Sequence, residues 1–209
     1  MPDSSTLLVF AATALALILV PGPAVLYIVA QSLDRGRLAG FVSALGIAVG
    51  GLVHVTAAAI GISSLLVSSA TAFAVVKYAG AAYLIGLGLH TLLVRKEEPS
   101  VEVSRERTLR RRFLQGVLVN VLNPKTALFF FAFLPQFVDP DKGSAALQIG
   151  VLGLVFVGLA VVCDSGWALA AGTASDRLRG SRRFLAVQRY VSGSVFVGLG
   201  ALAAVAKRH

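Results

Sequence analysis

Six apolar segments, each long enough to cross a bilayer, occupy most of this 209-residue chain. A transmembrane helix needs about 20 consecutive apolar residues, so the segments leave little sequence for anything else. Hydrophobic residues make up 56% of the chain and charged residues only 14%, a balance that no soluble core of this size requires. We therefore predict an all-α integral membrane protein, a single transmembrane domain over residues 1–209, with helices at 7–30, 39–67, 75–94, 113–137, 145–171 and 186–206.

Two of these segments are interrupted by proline. Pro21-Gly22-Pro23 lies in the first segment and Asn123-Pro124-Lys125 lies in the fourth. Because proline has no N–H and its ring crowds the carbonyl one turn back, we expect a kink or an interruption at about membrane depth. Lys125 adds a cost of about 2.5 to 3.5 kcal/mol at the bilayer centre. Either a neighbouring carbonyl satisfies this lysine in a structural kink, or the break forms a solute-binding site.

The two halves of the chain look like copies of one three-helix unit. Each half has a proline break in its first helix, and Lys77-Tyr78 followed by Gly86-Leu87-Gly88 matches Arg189-Tyr190 followed by Gly198-Leu199-Gly200 at the same spacing. Because each copy crosses the membrane an odd number of times, the copies must be inverted. We predict repeat one at residues 5–94, a cytoplasmic linker at 95–112 and repeat two at 113–206.

The net charge of +9 follows membrane topology better than nucleic-acid binding. The loops after the first, third and fifth segments carry two, seven and four basic residues, 13 in all, whereas the opposite face carries three. Since basic loops stay in the cytoplasm, we predict a cytoplasmic linker and both termini outside. The basic residues lack the interleaved aromatic residues and the motif of a nucleic-acid-binding protein. We expect no cleaved signal peptide, because the N-terminal head contains Asp3 and neither Lys nor Arg.

Few ionisable groups lie inside the segments. Asp164 is the only acidic one, and it is either a proton carrier, a functional partner of Lys125 or Lys77, or part of an ion pair that only locks the bundle. His54 is either a proton relay or bonded to a neighbouring hydroxyl or carbonyl, and Lys77 can extend to the interface. Cys163 is the only cysteine, which excludes an intrachain disulfide. With His54 and Asp164 it makes too thin a set for a dedicated metal site, and we predict no metal and no cofactor.

The intramembrane residues argue against an enzyme. The sequence contains no HExxH, no GxSxG and no paired carboxylates within the segments. A non-transporting accessory protein does not require two proline breaks or buried charges. Inverted repeats with a broken first helix are typical of transporters, in which half-helix N-termini and a cation suit a substrate carboxylate.

Several motifs together resemble one transporter family. They are Pro21-Gly22-Pro23, Gly36-Arg37 and Ala39-Gly40 with Gly46 and Gly50, Lys77-Tyr78 with Gly80-Ala81 and Tyr83-Leu84, Asn123-Pro124-Lys125, and Leu134-Pro135-Gln136-Phe137. Over nearly its whole length the chain resembles the lysine exporter (LysE/RhtB-type) family of amino-acid efflux proteins, which includes homoserine and threonine exporters. The resemblance implies export of amino acids or close derivatives, driven by the proton-motive force, across a bacterial inner membrane. It maps the family's proline motifs onto Pro21, Pro23, Asn123 and Pro124, and its fifth-segment acid onto Asp164.

Our prediction is a secondary transporter that exports amino acids or close derivatives, coupled to protons. Efflux of another small solute or ion, or a non-transporting accessory role, is the alternative. The single intramembrane acid favours a neutral substrate side chain, because a cationic one would want a second carboxylate. The four-residue glycine rows in the second segment favour close helix contacts, either within the chain or in a homo-oligomer. The predicted substrate-binding residues are Pro21, Gly22, Pro23, Asn123, Pro124 and Lys125, with Asp164 for proton coupling and His54, Lys77 and Tyr78 as accessory residues.

Overall fold

Helices form all of the regular structure in the described part of the chain. The computed structural model describes residues 2–68 and 108–173, together with single positions within 75–93 and 190–201. The third and sixth predicted segments therefore lie outside the described residues except at those positions. In chain order, the α-helices are α1 Ser4–Leu19, α2 Pro23–Arg35, α3 Arg37–Ser68, α4 Leu109–Val121, α5 Pro124–Leu128 and α6 Ala145–Thr173.

The first proline motif separates α1 from α2. Asp3 caps α1 by accepting a hydrogen bond from the backbone N–H of Thr6. After α1 ends at Leu19, α2 begins with Pro23 at its first position, where a missing N–H leaves no helical bond unmade. The two helices are bent by 52° relative to each other. The predicted break in the first segment is therefore present.

The second proline motif separates α4 from α5. The helical stretches Leu109–Val121 and Pro124–Phe137 are bent by 47°. After α5 the chain continues as a π-helical turn at Phe129–Phe133 and a 3₁₀ turn at Leu134–Phe137. Pro135 accounts for this change, because it has no N–H to offer the carbonyl one turn back. The side-chain amide of Gln136 donates to the carbonyl oxygen of Ala132 at 2.9 Å and keeps that backbone acceptor bonded.

The described helices supply between two and four membrane spans. Arg37–Gly61 within α3 and α6 are each long and apolar enough to cross a membrane, and each bent pair can count as one further span. These four stretches correspond to the first, second, fourth and fifth predicted segments. The arrangement of six helices in two inverted repeats stays a prediction.

Glycines bring α3 and α4 into close contact. A Cβ atom on Gly46 would lie 2.2 Å from the carbonyl oxygen of Phe113, and one on Gly50 would lie 2.7 Å from that of Val117. From the other side, a Cβ atom on Gly116 would lie 2.7 Å from the carbonyl oxygen of Ser43. Because only glycine permits this approach, Gly46 and Gly50 serve helix packing within the chain.

Phenylalanines form the core on one side of the breaks. Phe10 of α1 packs with Phe129, Phe130 and Phe133 of the π-helical turn and with Phe156 of α6. Neighbouring ring centroids in this cluster are 4.8 to 6.0 Å apart, the range in which aromatic pairs attract one another. The cluster fixes the segment that follows the second break against α1 and α6.

Contacts between helix ends identify the two ends of the described bundle. At one end, Lys142 pairs with Asp3, with 3.1 Å between Nζ and Oδ2, and joins the start of α1 to the loop before α6. The backbone N–H of Thr6, the Ser5 hydroxyl and Lys142 all lower the pKa of Asp3. At the other end, a Cβ atom on Gly172 of α6 would lie 2.6 Å from Cγ of Arg37 at the start of α3.

Candidate functional site

The two helix breaks meet at Lys125. Its Nζ donates a hydrogen bond of 2.5 Å to the carbonyl oxygen of Val20, the C-cap residue of α1. The same side chain lies against Gly22, where an added Cβ atom would be 3.1 Å from Cδ and 3.6 Å from Nζ of Lys125. A cation from the second break thus contacts the backbone of the first.

The structure brings most of the predicted substrate-binding residues to this junction. Pro21, Gly22, Asn123 and Lys125 are buried, whereas the two prolines that open helices, Pro23 and Pro124, are exposed. Lys125 is bonded to a neighbouring carbonyl, as the structural interpretation of the motif expected. It also lies where both helices are broken, as the binding-site interpretation expected.

Asn120 stabilises the backbone at the second break, and the sequence analysis did not identify it. Its Oδ1 accepts hydrogen bonds from Thr126 Oγ1 at 2.9 Å and from Asn123 Nδ2 at 3.3 Å. Its Nδ2 donates to the carbonyl oxygen of Ile47 in α3 at 2.7 Å. Asn123 in turn caps α5 by accepting from the backbone N–H of Lys125 at 3.1 Å. These bonds fix the backbone from which the lysine side chain extends.

Asp164 supplies the negative charge of the site. It lies in α6 and is 4% exposed, while Lys125 is 7% exposed. The two groups interact electrostatically, and in a buried setting such an interaction is much stronger than in water. The predicted acid and the predicted cation are therefore both buried and near enough to influence each other.

His54 of α3 is bonded to a backbone carbonyl. Its Nε2 lies 2.9 Å from the carbonyl oxygen of Asn120, so the ring carries a proton on Nε2 in this contact. The ring also stacks on Phe130, with centroids 6.1 Å apart. Of the two alternatives for this residue, the carbonyl-bonded histidine is the one that the structure shows.

The structure describes only one of the two remaining accessory residues. Lys77 lies outside the described residues. Tyr78 is described as a single position and its side chain is 57% exposed. A role for either in the site stays a prediction.

A second buried polar cluster joins α2 to α4, and the sequence analysis missed it. Arg112, which we assigned to the linker, is 2% exposed and lies within α4, because that helix already begins at Leu109. Its Nη1 donates to Oε1 of Gln31, and its carbonyl oxygen accepts from the Tyr27 hydroxyl at 2.8 Å. The four-residue spacing of Arg112, Gly116 and Asn120 was the available signal, since it places all three on one helix face.

The described residues contain no cluster of three or more His, Cys, Asp or Glu side chains that would hold a metal ion. Cys163 is a free thiol, half-buried beside the phenylalanine core. The junction brings a buried cation and a nearby acid to the ends of two broken helices.

Known proteins similar to this chain match it over almost its whole length. The model of the family described as "LysE type translocator" matches residues 15–207. An "uncharacterized membrane protein" of Vibrio cholerae is 30% identical over 205 residues, which cover 98% of this chain and 99% of that protein. The homoserine/homoserine lactone efflux protein of Salmonella typhimurium is 29% identical over 195 residues, covering 93% and 94% of the two chains. No solved structure matches the chain.

Proposed function

Because the chain belongs to the LysE type translocator family, we propose that it is a secondary transporter that exports amino acids or close derivatives from the cytoplasm in exchange for protons. Members of this family are transporters and not enzymes. The observation that carries the proposal is the position of Lys125, a buried cation where two broken helices meet, with Asp164 close enough to interact electrostatically.

Lys125 binds the substrate carboxylate. A carboxylate inside the membrane is costly unless a cation and hydrogen-bond donors replace its water. Lys125 provides the charge, and α2 begins beside it at Pro23 without a side-chain cap, so the positive end of that helix faces the junction. The two proline motifs contribute by interrupting the helices at this point, through Pro21, Gly22, Pro23, Asn123 and Pro124.

Asp164 couples export to proton entry. An occupied site holds two cations, the Lys125 ammonium and the substrate α-ammonium, and two anions, the substrate carboxylate and Asp164. Protonation of Asp164 leaves two cations against one anion and weakens substrate binding. Proton and substrate therefore exclude each other, which is the requirement for antiport. His54 is the accessory candidate for delivering the proton.

The substrate side chain is neutral. The ionic groups of the site are matched by the α-ammonium and α-carboxylate alone, and a cationic side chain would need a further acid. The Salmonella typhimurium relative is named for homoserine and its lactone. Homoserine, with its neutral hydroxyl side chain, is therefore the first compound to test.

The transporter lies in a bacterial inner membrane, with six spans arranged as two inverted three-helix repeats. The basic linker that precedes α4 is cytoplasmic and both termini are outside. Two observations support this arrangement: the 13-to-3 distribution of basic loop residues, and contacts that put the start of α1 beside the loop before α6 and the start of α3 beside the end of α6.

Counterflow in proteoliposomes tests the function and the substrate together. Purified protein is reconstituted with one unlabelled amino acid inside, and entry of the same labelled compound is followed for homoserine and the common amino acids. We expect exchange of a neutral amino acid by the parent protein and none by empty liposomes. Exchange of only a metal ion or an unrelated solute would overturn the amino-acid assignment. Absence of any exchange would favour the accessory role.

A further inference from the structure

The end of α1 is an acceptor site for an ammonium group. The last carbonyls of a helix lack intrahelical partners and carry the negative end of the helix dipole. Val20 ends α1, and Pro21, which follows it, has no N–H. The group that satisfies the Val20 carbonyl is Lys125 Nζ, at 2.5 Å. An ammonium ion from elsewhere in the chain thus occupies this position.

We propose that the Val20 carbonyl is the binding position for the substrate α-ammonium, and that the Lys125 ammonium holds this position until substrate enters. The inference deepens the proposed function and rests on it. In the loaded site, the substrate α-ammonium donates to the Val20 carbonyl oxygen. Lys125 Nζ leaves that oxygen and donates to the substrate carboxylate. One ammonium–carbonyl hydrogen bond is thereby replaced by another of the same kind, and an ion pair is added.

In this exchange the Lys125 side chain changes partners while its backbone stays in place. The backbone of the lysine is fixed by the Asn123 cap and the Asn120 network, so the flexible side chain is the part that moves. Gly22 lets the lysine side chain lie against the backbone of the first break, because a Cβ atom there would crowd Cδ of Lys125 at 3.1 Å. Asp164 interacts electrostatically with the lysine and balances its charge when it leaves Val20.

The arrangement selects a chemical class. A ligand with both an α-ammonium and an α-carboxylate uses both positions. A 2-hydroxy acid places a neutral hydroxyl at the Val20 carbonyl and loses the charge-assisted hydrogen bond, which is about twice as strong as a neutral one. A carboxylate-free amine competes with Lys125 for the carbonyl and offers the displaced lysine no anion to pair with. Removal of the lysine should therefore strengthen amine binding while it weakens amino-acid binding.

Binding to the purified protein in detergent separates this inference from transport. The probes are L-homoserine, L-homoserine amide and 2,4-dihydroxybutanoate, measured by calorimetry at pH about 6, where an α-amino group is protonated. In the parent protein, homoserine should bind at least about tenfold more tightly than either analogue. Lys125→Met should bind homoserine about tenfold or more weakly than the parent does. It should bind the amide about threefold or more tightly, because the competing lysine is gone. Lys142→Met, which removes an exposed lysine, is the matched control and should change neither value.

A charge-balanced variant excludes a simple field effect. Lys125→Met combined with Asp164→Asn removes one positive and one negative charge. If the increase in amide affinity came only from lost charge repulsion, the affinity should return to the parent value in this double variant. If it came from the vacated Val20 carbonyl, the increase should persist. Thermal melting of each variant checks that it is folded.

If the parent does not bind homoserine, the proposed substrate and this inference both fail. If Lys125→Met binds homoserine more weakly than the parent but does not bind the amide more tightly, Lys125 still binds the substrate carboxylate and the inference about Val20 is wrong. If the dihydroxy acid binds the parent as tightly as homoserine, the inference is wrong as well.

Discussion

Amide side chains position the backbone of Lys125. Asn123 bonds its backbone N–H, and Asn120 ties Asn123 and Thr126 to α3. A buried hydrogen-bond network of this kind restricts the backbone to one geometry, because each unmade bond would leave a buried polar group unsatisfied. The lysine can therefore change partners while its origin stays fixed. The residue-scale predictions concern this cation and the acid that balances it.

Lys125→Met should abolish transport, with counterflow lowered by at least about tenfold. The substitution keeps the apolar stem and removes the charge that we assign to the substrate carboxylate. Counterflow of homoserine in proteoliposomes measures the effect, and size-exclusion chromatography shows whether the variant stays monodisperse. Lys142→Met is the control, because it removes a lysine of the same length from an exposed ion pair. Normal transport by Lys125→Met would place the carboxylate elsewhere.

Asp164→Asn should lose uphill export driven by a pH gradient. Asparagine resembles the protonated acid and can no longer change charge, so proton movement is uncoupled from substrate movement. Substrate-for-substrate exchange at equal pH should persist at high substrate concentration, since that reaction needs no proton. Accumulation in inverted vesicles, with and without an imposed gradient, distinguishes the two activities. If the variant accumulates substrate as steeply as the parent, Asp164 is structural and His54 is the next candidate.

At the scale of helices, the sequence predicted the breaks and missed the contacts between helices. Proline acts on its own backbone, so Pro21-Gly22-Pro23 and Asn123-Pro124 indicated two interruptions without any knowledge of neighbours. The burial of Arg112 depends on Gln31 and Tyr27 of α2, which are 81 and 85 residues away in sequence. Its charge and its position beside other arginines made it look like part of a solvated loop. The π-helical turn at Phe129–Phe133 likewise follows from Pro135 six residues after Phe129, together with tertiary packing.

Gly46→Ala should destabilise the protein through the α3–α4 contact. The new methyl would lie 2.2 Å from the carbonyl oxygen of Phe113, a distance that forces the helices apart. Overpacking of this kind costs about 1 to 3 kcal/mol, which outweighs the gain of about 1 kcal/mol from replacing glycine in a helix. Thermal melting in detergent measures the change. Gly158→Ala in α6 is the matched control, because no atom from another element of the described chain lies within 4 Å of its added Cβ. Equal melting temperatures for the two variants would contradict the close approach.

At the scale of the whole molecule, polar contacts distinguish the two ends of the bundle. The end that we place outside is held by the exposed Asp3–Lys142 pair, a type of interaction worth about 0 to 1 kcal/mol. The other end contains the buried Arg112 contacts between α2 and α4. Unmaking a buried network exposes unsatisfied polar groups and costs more than separating a surface pair. Among the described residues, the contacts place the start of α1 beside the loop before α6 and the start of α3 beside the end of α6. The charge distribution alone predicts which of these ends is cytoplasmic.

Both termini should lie outside the cytoplasm and the 95–112 linker inside it. The sequence predicts 13 basic residues in or next to the loops of one side and three on the other, and translocating the more basic set against the positive-inside preference would be unfavourable. A reporter enzyme that works only in the cytoplasm should be inactive when fused after His209 and active when inserted into the linker. A reporter that works only outside should give the reverse pattern. Each fusion must still carry out counterflow, so that the pattern describes a correctly inserted transporter. A strong cytoplasmic signal from an intact, transport-competent C-terminal fusion would invert the orientation and, with it, the direction in which Asp164 meets the proton gradient.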